Sequence, residues 1–212
     1  MAMLDISNIL PNPRNDRNRM PNSTFRLIAQ FCRSPQSVGT VLPSSRELVE
    51  AMLVPVDFTK LSTIVEYGPG SGTITAEIAD RLSGSSRYVG IEINRKLHED
   101  LCIRFPHLTF VNKSAGDIET ILGSFDIKQV DAIICGLPWA LLPSGQQRAI
   151  LDGALHCLRP GGVFVTYAFL QGLLLPGAWT LRRRLRSRFS LVRATPIVWN
   201  NVPPAFAYIC TR

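Results

Sequence analysis

Glu66-Tyr67-Gly68-Pro69-Gly70-Ser71-Gly72 ends a β-like run, Thr63–Tyr67, and leads into a helix-like run, Ile74–Leu82. Glycine at alternate positions permits backbone angles and close approaches that a Cβ would block. A strand that turns through such a loop into a helix is the opening unit of an open α/β sheet, where ligands sit beyond the carboxyl ends of the strands. The spacing narrows the ligand. A dinucleotide fingerprint starting at Gly68 needs a glycine at 73, and the residue there is Thr73. A P-loop needs Gly-Lys-Ser/Thr, and none follows. The Glu66 carboxylate suits a ligand with an ammonium group better than one with a pyrophosphate. Glu92 lies 20 residues beyond Gly72, at the end of the next β-like run, where a carboxylate can take two ribose hydroxyls.

Outward from that loop, strands and helices alternate. Arg87–Ile93 reads as a second strand, Arg95–Phe105 as a helix stopped by Pro106, and Leu108–Val111 as a third strand. Val130–Cys135 follows as a fourth strand, Gln146–Leu158 as a helix, and Val163–Tyr167 as a fifth strand after Pro160-Gly161-Gly162. Such alternation means parallel β-α-β units with right-handed crossovers. Leu191–Trp199 and Phe206–Cys210 read as two closing strands joined antiparallel through Pro203-Pro204.

Ahead of the sheet, Phe25, Ile28, Ala29 and Cys32 have helical spacing, with Arg26 and Arg33 on the same segment. A second helix is predicted from near Pro43, with Ser44 and Glu47 at capping-box spacing and an apolar stripe of Leu48, Val49, Met52 and Leu53. The division expected is an arm with lid or membrane-contact helices over residues 1–55 and a ligand-binding core over 56–212.

The chain has 212 residues, 46% hydrophobic and 18% charged, which suits one globular domain and excludes a disordered one. No apolar stretch reaches the roughly 18 residues that span a bilayer. Met1–Met20 lacks the apolar segment of a secretory signal. Cys32, Cys102, Cys135, Cys157 and Cys210 stand singly, which points to reduced thiols and gives no support to a metal site. His98, His107 and His156 fall outside every motif.

The net charge of +7 is unevenly placed. Residues 153–212 carry eight basic side chains and no acidic one, five of them between Arg182 and Arg188. Such a cluster seeks phosphate, of a nucleic acid or of lipid headgroups. The expected membrane contacts are Arg26, Arg33, Arg182, Arg183, Arg184, Arg186 and Arg188.

Over Thr63–Tyr167 the chain resembles the class I S-adenosylmethionine-dependent methyltransferases. That resemblance implies a Rossmann-like fold: a mostly parallel seven-stranded sheet with helices on both faces and N-terminal lid helices. It implies S-adenosylmethionine as cofactor, with contacts from Glu66, Gly68, Gly70, Gly72, Thr73, Glu92, Ile93, Asp117, Ile118 and Cys135. Glu92 would hold the ribose and Asp117 the adenine amino group.

The acceptor belongs beside Cys135-Gly136-Leu137-Pro138-Trp139, at the end of the fourth strand. This segment is similar to RNA adenine dimethylases, which place a polar residue where this chain has Gly136 and an aromatic where it has Trp139. The bacterial phospholipid N-methyltransferases resemble nearly the whole chain. The matching pieces include Gly39–Ser45, Gly136-Leu137-Pro138, Thr166-Tyr167 and Trp199–Ala205. They imply N-methylation of an aminophospholipid, phosphatidylethanolamine and its methylated products, at an anionic membrane surface. The enzyme would be a monomer, cytoplasmic and peripheral on the inner face of the membrane. Gly136, Leu137, Pro138, Trp139 and Tyr167 are the substrate-side candidates. Tyr167 is the catalytic candidate, to orient the amine or relay its proton. The alternatives are an RNA adenine N6-methyltransferase and a small-molecule methyltransferase.

Overall fold

All five residues of strand β1 (Thr63–Tyr67) are buried. A strand covered on both faces belongs at the centre of a parallel sheet. In the computed structural model, which describes residues 44–212, β1 lies third in a seven-stranded sheet of order β3-β2-β1-β4-β5-β7-β6. The other strands are β2 (Arg87–Ile91), β3 (Thr109–Val111), β4 (Val130–Cys135), β5 (Leu158–Phe169), β6 (Leu191–Ala194) and β7 (Ala205–Thr211). Strands β1 to β5 pair in parallel, while β7 runs antiparallel between β5 and β6. The chain winds from β1 outward to β3, then crosses back to β4 on the other side of β1. The carboxyl ends of β1 and β4 therefore flank a topological switch point, where a crevice opens.

Each face of the sheet carries its own apolar core. Val65, Tyr67, Ile133 and Phe164 pack on one face with residues of helices α5 (Ser144–Cys157) and α6 (Pro176–Arg188). Ile64, Ile134, Val165 and Ala207 pack on the other, against α1 (Arg46–Leu53) and α2 (Thr73–Ala79). The remaining helices are α3 (Arg95–Arg104) and the short α4 (Ile118–Gly123). The expected stripe of α1, Leu48, Val49, Met52 and Leu53, is fully buried. Its cap is one residue later than the capping-box spacing suggests: Ser45, not Ser44, accepts from the Leu48 N–H at 3.2 Å. The predicted helix over Phe25–Cys32, with Arg26 and Arg33, lies outside the described residues.

A membrane contact by the arginines of residues 182–188 that serves the acceptor belongs near the carboxyl ends of the strands, where the crevice opens. Helix α6 starts there, with Gly177 packed on the backbone of Ala140 just past β4. It then runs away, because it must reach Leu191, which pairs with Thr211, which pairs with Val163 toward the amino end of the sheet. Two of the five arginines also brace α6 on α5. Arg184 donates to Gln147 Oε1 and Ser144 Oγ, at 3.1 and 2.6 Å, and Arg188 pairs with Asp152 at 2.9 Å. Arg182, Arg183 and Arg186 have no such bond among the described residues.

Candidate active site

The glycine loop holds its shape through left-handed backbone angles, with φ of 64°, 57° and 77° at Gly68, Gly70 and Gly72. Two anchors fix it. The Gly68 N–H donates to the Ile91 carbonyl at 2.9 Å, and the Gly70 N–H to Glu92 Oε2 at 3.0 Å. The other carboxylate oxygen of Glu92 accepts from the Asn94 N–H at 2.8 Å. Glu92 thus ties the loop to the end of β2, and it lines a cavity of about 200 Å³. Gly68, Ile93, Ser114, Ala115, Gly116, Leu137, Leu142 and Ile150 line the same cavity.

Glu66 faces elsewhere. Its carboxylate lies inside the core beneath the loop, 1% exposed, and Oε2 accepts from Thr75 Oγ1 at 2.8 Å and Tyr88 Oη at 2.5 Å. Burial pushes its pKa up to about 7. The sequence reading put this carboxylate beside a ligand ammonium; the structure puts it under the loop, bonded to α2 and β2. Ile118 and Cys135 were also expected at the cofactor, yet both side chains are fully buried in the core. Burial pushes the Cys135 thiol up to about 12, so it stays protonated at neutral pH. Thr73 is half-buried at the start of α2, its hydroxyl 3.1 Å from that of Ser71. Asp117 stands exposed at the start of α4, directly after the cavity-lining Ser114–Gly116, and its side chain makes no capping bond.

On the acceptor side, Gly136 is forced by close packing. Its N–H donates to the Tyr67 carbonyl at 2.8 Å, and a Cβ there would stand 2.8 Å from the Gly68 carbonyl oxygen. Leu137 extends from this point into the cavity, and Pro138 is exposed beyond it. Trp139 corrects the sequence reading. It is 3% exposed, its indole N–H donates to Thr166 Oγ1 at 2.8 Å, and it meets Phe164 edge-on at 6.2 Å. A ring held in the core offers no face to a base or headgroup. Tyr167 is half-buried, edge-on to Phe169 at 5.4 Å. Thr166 pairs with Cys135, and Cys135 with Tyr67. Tyr167 is therefore level with Gly136 and Gly68, two strand spacings or about 10 Å from the loop.

Beside it, two distant segments meet. The Ser45 N–H donates to Asn201 Oδ1 at 2.8 Å, and the Asn201 amide donates to the Pro203 carbonyl at 2.6 Å. The Leu170 N–H, just past β5, donates to the Pro204 carbonyl at 2.8 Å.

A family model described as a methyltransferase domain matches residues 64–162, the span that holds the glycine loop, Glu92 and the cavity. The chain is an S-adenosylmethionine-dependent methyltransferase. A curated relative, the ornithine lipid N-methyltransferase of Singulisphaera acidiphila, is 27% identical over 189 residues, covering 88% of this chain and 94% of its own length. Among solved structures, the O-methyltransferase from Bacillus cereus in complex with SAH superposes with a TM-score of 0.67 at 18% identity, over 91% of this chain and 92% of that one. The N-methyltransferase NodS from Bradyrhizobium japonicum superposes with a TM-score of 0.59 at 17% identity, over 78% and 92%. At these identities the structural likeness speaks for the fold.

The residues present in this methyltransferase fit its cofactor. The loop comes so close to Leu137 that a Cβ on Gly68 would stand 2.9 Å from Leu137 Cδ2, and a buried carboxylate, Glu92, borders the cavity. Several supporting residues escaped the sequence reading. Asn112 donates to the carbonyls of Glu92 and Ile93, at 2.8 and 3.1 Å, and fixes the end of β2. Asn94 caps α3, accepting from Lys96 and Leu97 N–H. Its position just before a helical run is an N-cap signal legible in sequence, whereas Thr75, Tyr88 and Asn112 carry none. Among the described residues no group of three or more His, Cys, Asp or Glu could hold a metal ion.

Proposed function

We propose that this methyltransferase methylates the amine of a lipid headgroup, with phosphatidylethanolamine and its methylated products as acceptors, at a membrane surface. What carries the reading is the likeness to a lipid N-methyltransferase across 88% of the chain, far beyond the 64–162 domain match. A second observation weighs against base methylation: the Gly68 carbonyl leaves no room at position 136 for a polar side chain to hold an exocyclic amine.

When bound, S-adenosylmethionine supplies an electrophilic methyl group. Glu92 and the backbone of Gly68–Gly72 would hold its polar end, and Ile93, Ala115, Leu137 and Ile150 its apolar surface. This chain's own work is to position and deprotonate the acceptor. A primary ammonium with a pKa near ~10, as in lysine, is almost wholly protonated at neutral pH and must lose a proton to attack. Tyr167 orients the amine and relays that proton. Backbone carbonyls near Cys135 and Gly136 align the nitrogen. Arg26 and Arg33 contact the anionic surface, and the enzyme acts as a monomer on the inner face of the membrane.

The test is transfer of radiolabelled methyl from S-adenosylmethionine to vesicles of phosphatidylethanolamine with an anionic lipid, with ornithine lipid and unmodified RNA in parallel tubes. Label in the phosphatidylethanolamine supports the reading, and chromatography counts the methyls. Label only in ornithine lipid keeps the lipid class and replaces the headgroup. Label only in RNA overturns it.

A further inference from the structure

Three large apolar side chains stand exposed where the crevice opens. Trp199 is 66%, Val202 62% and Leu174 61% exposed. They sit on two short segments at the same end of the sheet. Trp199 and Val202 lie in the turn between Val198 and Ala205, which form an antiparallel bridge. Ala205 pairs with Phe169 at the carboxyl end of β5. Leu174 ends the 3-10 turn Leu170–Leu174 that follows β5, and that turn is bonded to the first segment from the Leu170 N–H to the Pro204 carbonyl. Of the five other exposed large apolar residues among those described, Ile93 lines the cofactor cavity, and Val54, Ile103, Phe125 and Leu191 belong to other parts of the surface.

The platform under this rim is fixed. Asn201, 3% exposed, bonds Ser45 on one side and Pro203 on the other. A buried amide that locks a turn while its neighbours Trp199 and Val202 point outward presents those side chains instead of packing them. Neither segment, 170–175 or 199–204, carries a charged residue. The chain from 153 to 212 has eight basic residues and no acidic one, so nothing in it repels an anionic surface. Trp is the side chain best suited to the boundary between headgroups and acyl chains, where its apolar ring and its N–H are both accommodated.

We propose that Leu174, Trp199 and Val202 form an apolar docking rim that enters the interface of an anionic lipid bilayer and presents the crevice to the membrane. This rests on the lipid-acceptor reading above and relocates the main contact from the α6 arginines, which the helix carries away from the crevice. An enzyme whose acceptor is confined to a surface gains from a contact built beside its acceptor site, because docking then also positions the headgroup.

The experiment uses the full chain and vesicles of phosphatidylglycerol and phosphatidylcholine, which contain no primary amine, so docking is read apart from catalysis. Acyl chains brominated at defined depths report where tryptophan sits. Vesicles should bind the wild type and quench its emission. Trp199→Phe should remove the quenching, since Trp139 is in the core and Trp179 half-buried. The triple variant Leu174→Ser, Trp199→Ser, Val202→Ser should lose at least about tenfold in vesicle affinity, the scale expected from removing three interfacial apolar contacts. Its affinity for S-adenosylmethionine should stay unchanged, which shows that it is folded. Vesicle affinity within twofold of wild type, or emission that no depth of bromine quenches, overturns the rim. So does a dimer in sedimentation velocity that the triple variant dissolves, with no vesicle binding: the rim would then join two copies of the chain. Methyl transfer to lipid with an unquenched Trp199 overturns the rim and leaves the lipid acceptor standing. A quenched Trp199 with label only in RNA keeps the rim and overturns the acceptor.

Discussion

Gly68–Gly72 and Trp199–Pro204 lie at the same end of one sheet, three strands apart, and they are held by different means. The glycine loop is shaped by its own backbone angles and anchored to Ile91 and Glu92, about twenty residues away. The turn at 199–204 is held from a distance: Ser45 stands 156 positions before Asn201, and Leu170 bonds Pro204 across the top of β5. The first site is a local motif whose tolerance is set by backbone proximity. The second is an assembly of chain segments that exists only once the sheet has formed. Changes to the loop should therefore strike cofactor binding, and changes to the turn should strike the acceptor while sparing the cofactor.

The largest effect expected is at Gly136, whose backbone packs on the glycine loop. Gly136→Asn puts a Cβ 2.8 Å from the Gly68 carbonyl oxygen. Displacing that backbone costs about 1–3 kcal/mol, the range for overpacked interiors, and S-adenosylmethionine affinity measured by titration calorimetry should fall roughly 5–150-fold. Unchanged affinity would show that the loop yields freely there.

Glu66 tests the core beneath the loop. Its pKa is raised from 4.5 to about 7 by burial. A carboxyl that holds its proton more tightly when folded makes stability fall as pH rises from about 4.5 toward 7, with the loss complete above 7. By the linkage relation, wild type should lose up to ~3 kcal/mol across that window, and Glu66→Gln should flatten the curve in denaturant melts taken at several pH values. Parallel curves for the two proteins would remove Glu66 as the source.

Glu92→Gln should come next. The two carboxylate oxygens accept from Gly70 and Asn94 N–H; a glutamine keeps one acceptor, so one of these bonds is lost and the other loses its charge, each worth about 1.5–3 kcal/mol when one partner is charged. Cofactor affinity should drop about tenfold, with the acceptor KM unmoved. A change in acceptor KM alone would reverse the assignment of Glu92.

Asn201→Ala sharpens the other half. It leaves the part-buried Ser45 N–H without its acceptor, a loss at the low end of the about 1–3 kcal/mol for a buried donor, and a few degrees of Tm in a chain of this size. Acceptor KM should rise severalfold while cofactor affinity stays within twofold. A fall in cofactor affinity would mean that the two regions form one site rather than two.

The sheet was largely legible in sequence because alternating strand and helix patterns, a glycine turn and a Pro-Gly-Gly stop are local signals. Five strand positions, the antiparallel closing pair and the stripe of α1 follow from them. So does the position of Glu92 beside the loop and the cavity, since the distance from loop to acid is a property of the β-α-β unit. Trp139, Ile118 and Glu66 were misread for one reason. Sequence places a residue on an element but does not say which way that element leads its side chain. Trp139 follows β4 as an acceptor residue would, yet the chain turns it back onto Phe164 and Thr166. The arginines follow β5 as a membrane contact would, yet α6 runs toward the amino end of the sheet to deliver β6 beside β7.

What the sequence determined by itself is the ligand chemistry of the loop and the order of the elements, because both are encoded within spans shorter than one β-α-β unit. Tertiary structure alone decided that the Glu66 carboxylate lies beneath the loop, that no side chain fits at Gly136, and that Ser45 and Asn201 meet beside the crevice. Those outcomes depend on distances between segments that only the closed sheet brings within hydrogen-bonding reach.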